Sequence, residues 1–132
     1  MKSWLLFADS YLVGLGIVVA LVVYPAFRDV GPSEWQQYHV RHSRTISIAV
    51  GPVWLLQGVL CAVWLLQGPN RILGVIHGAF ALAGVATTIF GAVPQHNVIA
   101  RERTLSHLQK LQLWHWVRTL VWVVALVCSL IF

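Results

Sequence analysis

Four apolar stretches, each about as long as a bilayer is thick, constrain this chain more than anything else in it. They cover residues 4–27, 45–66, 72–94 and 113–132, and each approaches the ~20 helical residues needed to cross a ~30 Å hydrocarbon core. Within hydrocarbon a backbone must satisfy its own hydrogen bonds, so only helices or a closed barrel can span it. A spanning strand would show ~10-residue segments of alternating polarity, and these stretches do not alternate. The expected fold class is therefore all-α, an integral membrane four-helix bundle forming a single transmembrane domain over 1–132. Composition agrees: 10% of residues are charged, against about 25% in soluble domains. The first stretch is longer than the 7–15 apolar residues of a secretion signal and lacks a small-x-small cleavage site before Pro25, so it is expected to be retained.

The net charge of +5 does not point to nucleic acid, because the basic residues lie in short loops instead of on one soluble face. Arg28, Arg41, Arg44, Arg101, Arg103 and Lys110 share one side, whereas the other side holds Lys2 and Arg71. By the positive-inside rule the basic loops are cytoplasmic and both termini lie outside, as expected for a bacterial inner membrane. The partners implied are the lipid bilayer and a lipophilic small molecule. A homo-oligomer fits the glycine- and alanine-rich third stretch, whose small residues let membrane helices approach closely.

Local punctuation places the helix ends. Gly31 and Pro32 break the chain, and Ser33 with Gln36 reads as a capping box, which starts helix two well before its apolar run and carries it into the cytoplasm. Pro52 inside helix two removes one backbone bond and predicts a kink. "QGPN", residues 67–70, is a tight turn that makes helices two and three antiparallel neighbours. Helix three, with Gly74, Gly78 and Gly84 among its small residues, is expected to be the most central. After Pro94 a polar connection is expected, with helical character returning near Thr104 and helix four also overhanging the membrane.

The chemistry gathers at one depth. His39 and His42 stand just before the apolar part of helix two, His96 just after that of helix three, and His115 just inside that of helix four. Ionisable groups at membrane depth are costly and mark sites. His39 and His42 at i and i+3 share a helix face, the spacing with which bundles present ligands to a metal, and imidazole suits iron, copper and zinc. An isolated HxxH pair is as readily hydrogen-bonded or solvated; the further histidines from two other helices favour ligation. Arg44 and Arg118 lie near the same level and need an anionic partner or the headgroups. Few acids are available: Glu34 reads as a helix-cap charge and Glu102 as a solvated one. Tyr38, Gln95 and Asn97 are candidates to fix histidine tautomers around a cofactor, and His107 is expected to face solvent. At the opposite end, Asp9 and His77 share a depth and predict a buried hydrogen bond, or half of a proton path. Cys61 and Cys128 lie at similar depth, so a bridge is geometrically conceivable, but they read as apolar packing.

The segments "VPQHNVIA" and "LWHWVRTLVWVVAL" resemble the pattern after helix three and within helix four of the anthrone-oxygenase-like family of small four-helix membrane proteins. Pro94, Asn97, Arg118 and Thr119 match that pattern, His115 stands where many relatives carry Asn, and "YHVRHSR" is similar to the YHxxHSR of a bacterial subgroup. Some fungal members are associated with oxidising anthrones to anthraquinones, so the resemblance implies an oxygen-dependent oxidation.

The reading that follows is a metal-dependent membrane oxidoreductase. His39, His42, His96 and His115 would hold non-haem iron or copper, and Arg118 and Arg44 would orient a phenolic, anthrone-like or quinol substrate. Three alternatives share the same residues. Haem b could sit between two histidines such as His42 and His115, the histidines could form a transient cation site in a transport protein, or the chain could be a structural subunit.

Overall fold

The computed structural model describes residues 1–131 and contains four long helices with no strand among the described residues. They are α1 (Lys2–Ala26), α2 (Pro32–Gln67), α3 (Arg71–Arg101) and α4 (Leu105–Ile131), each long and apolar enough to cross a membrane. The outward surface is that of a protein solvated by hydrocarbon. Leu55, Ile72 and Phe90 are each more than 70% exposed, while Asp9, His77 and His115 are buried.

Two prolines shape the helices by what precedes them. Pro25 and Pro94 have no N–H, so each would leave a gap in a regular α-ladder. Residues Val19–Val23 and Thr87–Ala92 adopt π-helical geometry just upstream, the widened turn by which a helix absorbs such a defect and continues. Consequently α3 runs on through Pro94 to Arg101, so most of the stretch expected as a polar connection is helical and only residues 102–104 separate α3 from α4, whose helix returns at Leu105, close to where it is expected. The ends also differ from expectation at α2. Gly31 is the N-cap, no side chain caps the helix, and Pro32 takes the first turn, the position where its missing N–H costs nothing; the Ser33 capping box does not form. Pro52 lies inside one continuous helix. The 67–70 turn is tight as expected: Asn70 adopts a left-handed φ of 48° and its Oδ1 accepts from the Leu73 N–H at 3.2 Å.

The most central helix is α4, not α3, because it packs along both α1 and α3. The small residues still act as predicted, by seating large ones. A Cβ on Gly84 would lie 2.5 Å from Trp122 Nε1, so the indole of α4 lies directly on the α3 backbone. Gly16 does the same for α1 and α4, where a Cβ would stand 2.7 Å from Thr119 Oγ1. That close approach is what brings α4 within reach of the α1 carbonyls. At the basic end, Phe27, Trp35, Ile99 and Leu111 form a buried cluster fastened by Trp35 Nε1 donating to Ile99 O at 2.8 Å and Arg103 donating to Phe27 O at 2.8 Å.

Candidate functional site

A cavity of about 380 Å³ opens between the helices toward this end. Its walls are largely apolar, from Leu15, Val19, Ile46, Val50, Trp54 and Trp122 among others. The polar groups facing it are Tyr24, His39, His96, His115, Arg118 and the smaller Ser43, Ser47, Thr88 and Asn97, with no Asp or Glu in the lining.

The histidines converge as their spacing suggests, but hydrogen bonds bind them to one another and to protein groups. His39 Nε2 lies 3.1 Å from His96 Nδ1, and His96 Nε2 lies 3.0 Å from the Tyr24 hydroxyl. This is a continuous chain, Tyr24 to His96 to His39, leading from the cavity toward the basic end. His42 stacks on His96 at a ring separation of 5.8 Å but does not itself line the cavity, and its Nε2 is buried without a hydrogen-bond partner.

His115 is fixed in a single form. Gly16 O can only accept, so His115 Nε2, 2.7 Å away, carries the proton. A guanidinium can only donate, so Nδ1 presents its lone pair to Arg118 at 2.5 Å. Both ring nitrogens are used, and the imidazole is neutral. Arg118 also donates to Thr88 Oγ1 at 3.1 Å and lies 5.1 Å from the Trp122 ring centroid. Its Nε is buried without a partner.

These contacts test the expected cofactors. Among the described residues no three His, Cys, Asp or Glu side chains gather so as to hold a metal ion. His115 has no free lone pair, so a four-histidine iron or copper centre does not fit this arrangement. Haem b between His42 and His115 meets the same obstacle, and the Tyr24 ring packs against both, at 6.3 and 4.9 Å.

Of the other expected residues, Asn97 lines the cavity, whereas Gln95, Tyr38 and Arg44 lie outside its walls. Tyr38 packs on Phe27 and Trp35, and Arg44 is exposed in a shallow groove on α2 with Ser33 and Arg41. Arg44 therefore does not reach a ligand in the cavity; its i+3 offset from Arg41 keeps it on the outer face of α2. His107 is half-buried and closes the turn before α4 through Glu102 O at 3.0 Å, so it is not simply solvated. Sequence reasoning missed Tyr24, whose signal was a phenol ending an apolar run just before Pro25. It also missed Trp54, Trp122 and Thr88, which nothing in the local pattern distinguishes from lipid-facing residues.

At the far end of the bundle a second polar group is built from all four helices. His77 Nε2 lies 2.9 Å from Asp9 Oδ2, as the shared depth predicts. Gln57 Nε2 donates to Asp9 Oδ1 at 2.6 Å, Ser129 Oγ donates to Asp9 Oδ2, and Cys61 Sγ lies 3.2 Å from His77 Nδ1. All five side chains are buried.

No family model, curated protein or solved structure matches this chain.

Proposed function

We propose that the cavity takes a lipophilic acidic phenol or quinol from the bilayer and that the chain is a membrane oxidoreductase acting on that ring. The observation that carries this reading is Arg118: a half-buried guanidinium beside the Tyr24 hydroxyl, its Nε buried and unsatisfied, in a cavity whose lining holds no carboxylate. A charge out of water needs a partner, and the partner this site can still accept is an anionic oxygen on the ligand. The apolar walls select the remainder of the molecule. A volume of about 380 Å³ falls in the range of roughly 300–1,000 Å³ typical of small-molecule sites and suits a compound of two or three fused rings.

In this reading Arg118 holds the ring oxygen as its anion, and Tyr24, His96 and His39 carry the displaced proton toward the basic end, which the positive-inside rule makes cytoplasmic. Each link needs only a hop along an existing contact of about 3 Å. Neutral His115 keeps Arg118 aimed at the cavity. Oxidation of a quinol to a quinone releases two electrons and two protons; dioxygen as oxidant would take the two electrons and, with two protons drawn from water, leave as hydrogen peroxide. The redox half of the proposal draws on the family resemblance, the binding half on the cavity.

The test is a titration of detergent-purified protein with 1-naphthol and with naphthalene, followed by quenching of tryptophan fluorescence. Naphthol is expected to bind saturably and at least tenfold more tightly than naphthalene; equal affinities would remove the anion-binding role of Arg118.

A metal-dependent form has one observation in its favour, the unpartnered His42 Nε2 beside the His39 and His96 pair. Iron or copper on those three would require His96 to give up its present contacts. Stoichiometric metal in purified protein, lost on substituting His42, would select it.

A further inference from the structure

We propose that Cys61 is a nucleophilic thiol, activated by His77 and Asp9, that adds to uncharged lipophilic electrophiles of the enone class dissolved in the bilayer. This inference is independent of the cavity, which lies toward the other end of the bundle.

Apolar packing explains a buried cysteine but not an imidazole nitrogen placed 3.2 Å from its sulfur. The network around it commits the other ring nitrogen to Asp9. Asp9 meets donors at both oxygens, Gln57 at Oδ1 and Ser129 at Oδ2, so it acts as an acceptor toward His77 as well. The His77 Nε2 facing Oδ2 at 2.9 Å therefore carries a proton. In the neutral imidazole, with its one N–H on Asp9, the Nδ1 lone pair is directed at the Cys61 S–H, and in the imidazolium Nδ1–H meets a Cys61 thiolate; the thiol proton lies on this contact in either form. Thiol, base and orienting carboxyl then stand in line, each within hydrogen-bond reach, as activated nucleophiles require. Trp64, with its ring centroid 5.4 Å from that of His77, walls the imidazole on one side.

The reaction balances without any further reagent. Cys61 Sγ forms a bond to the β-carbon of the enone while its proton passes to His77 Nδ1. The π pair moves onto the α-carbon and carbonyl, and His77 returns the proton there. Asp9 holds the imidazolium between the two transfers. Cys61 is 8% exposed within an apolar helix, so a charged or strongly hydrated reactant is excluded, and a membrane-soluble one is selected.

Cys128 supplies an internal control, being 5% exposed in the same fold and, among the described residues, having no imidazole on its sulfur. The full chain in detergent is treated with N-ethylmaleimide, quenched at intervals and digested, and alkylation of each cysteine is followed by mass spectrometry. Cys61 is expected to react at least tenfold faster than Cys128, and His77→Gln is expected to remove that advantage. Equal rates in the unaltered chain, or an undiminished Cys61 rate in folded H77Q, would overturn the proposal. If H77Q does not fold, Asp9→Asn, which keeps the shape of the side chain, serves instead: it is expected to slow Cys61 at least fivefold with Cys128 unchanged, and no slowing would overturn the proposal equally.

Discussion

Arg118→Met is expected to weaken binding of a naphthol-type ligand roughly 10- to 100-fold, about 1.5–3 kcal/mol, the scale of losing a hydrogen bond to a charged group at a half-buried site. Methionine keeps most of the length and apolar bulk of the side chain, so the Trp122 contact is largely preserved and the loss reports the guanidinium. The variant also frees His115 Nδ1, which now receives the Arg118 donor at 2.5 Å. Naphthalene, with no ionisable oxygen, should bind R118M about as well as the unaltered protein. Arg118→Lys should recover only part of the affinity, because an ammonium cannot bridge Thr88, His115 and a ligand with the planar fork that a guanidinium provides. Titrating all three proteins with both ligands separates these outcomes; equal loss for naphthol and naphthalene would mean that the cavity had collapsed.

The second large effect is on stability. Asp9→Leu should destabilise the bundle by about 3–5 kcal/mol, since it strands His77, Gln57 and Ser129 without their acceptor in a region where water cannot replace it. Those donors come from α3, α2 and α4, so the carboxyl of α1 ties all four helices at one level. Asp9→Asn, retaining one oxygen acceptor, should cost less. Unfolding in detergent with increasing dodecyl sulfate, followed by loss of near-ultraviolet circular dichroism, gives the order expected: unaltered, then D9N, then D9L. D9L as stable as the unaltered chain would show that the network contributes no cohesion.

How far these features were legible in the sequence depends on whether the determining contact is local. The four spans were readable because hydrocarbon demands a continuous apolar helix, and that demand is written in consecutive residues. The shared depth of His39, His96 and His115 followed from antiparallel threading alone, as did that of Asp9 and His77. What each nitrogen touches was not readable. Whether His115 faces a ligand or Gly16 O depends on how closely α1 and α4 approach, which is set by Gly16 against Thr119, two residues far apart in the chain. Arg44 and Arg118 looked equivalent by depth, yet a difference in helix face leaves Arg44 exposed and sends Arg118 into the cavity. Gln57 and Ser129 gave no signal of their own, because a single polar residue in a span reveals its partner only once the helices are packed. The extension of α3 past Pro94 was hidden for a further reason: the π-turn that accommodates the proline has no sequence pattern of the kind that caps and turns possess.

Arg118 holding a ligand oxygen as an anion inside an apolar cavity is tested most directly by the absorption spectrum of bound naphthol. Free phenols ionise near pH 10, so at pH 7 the unbound ligand shows only its neutral band. A red-shifted naphtholate band that grows in proportion to occupied protein at pH 7, and is missing with R118M, is the predicted result. A ligand that binds with the spectrum of its neutral form would contradict it.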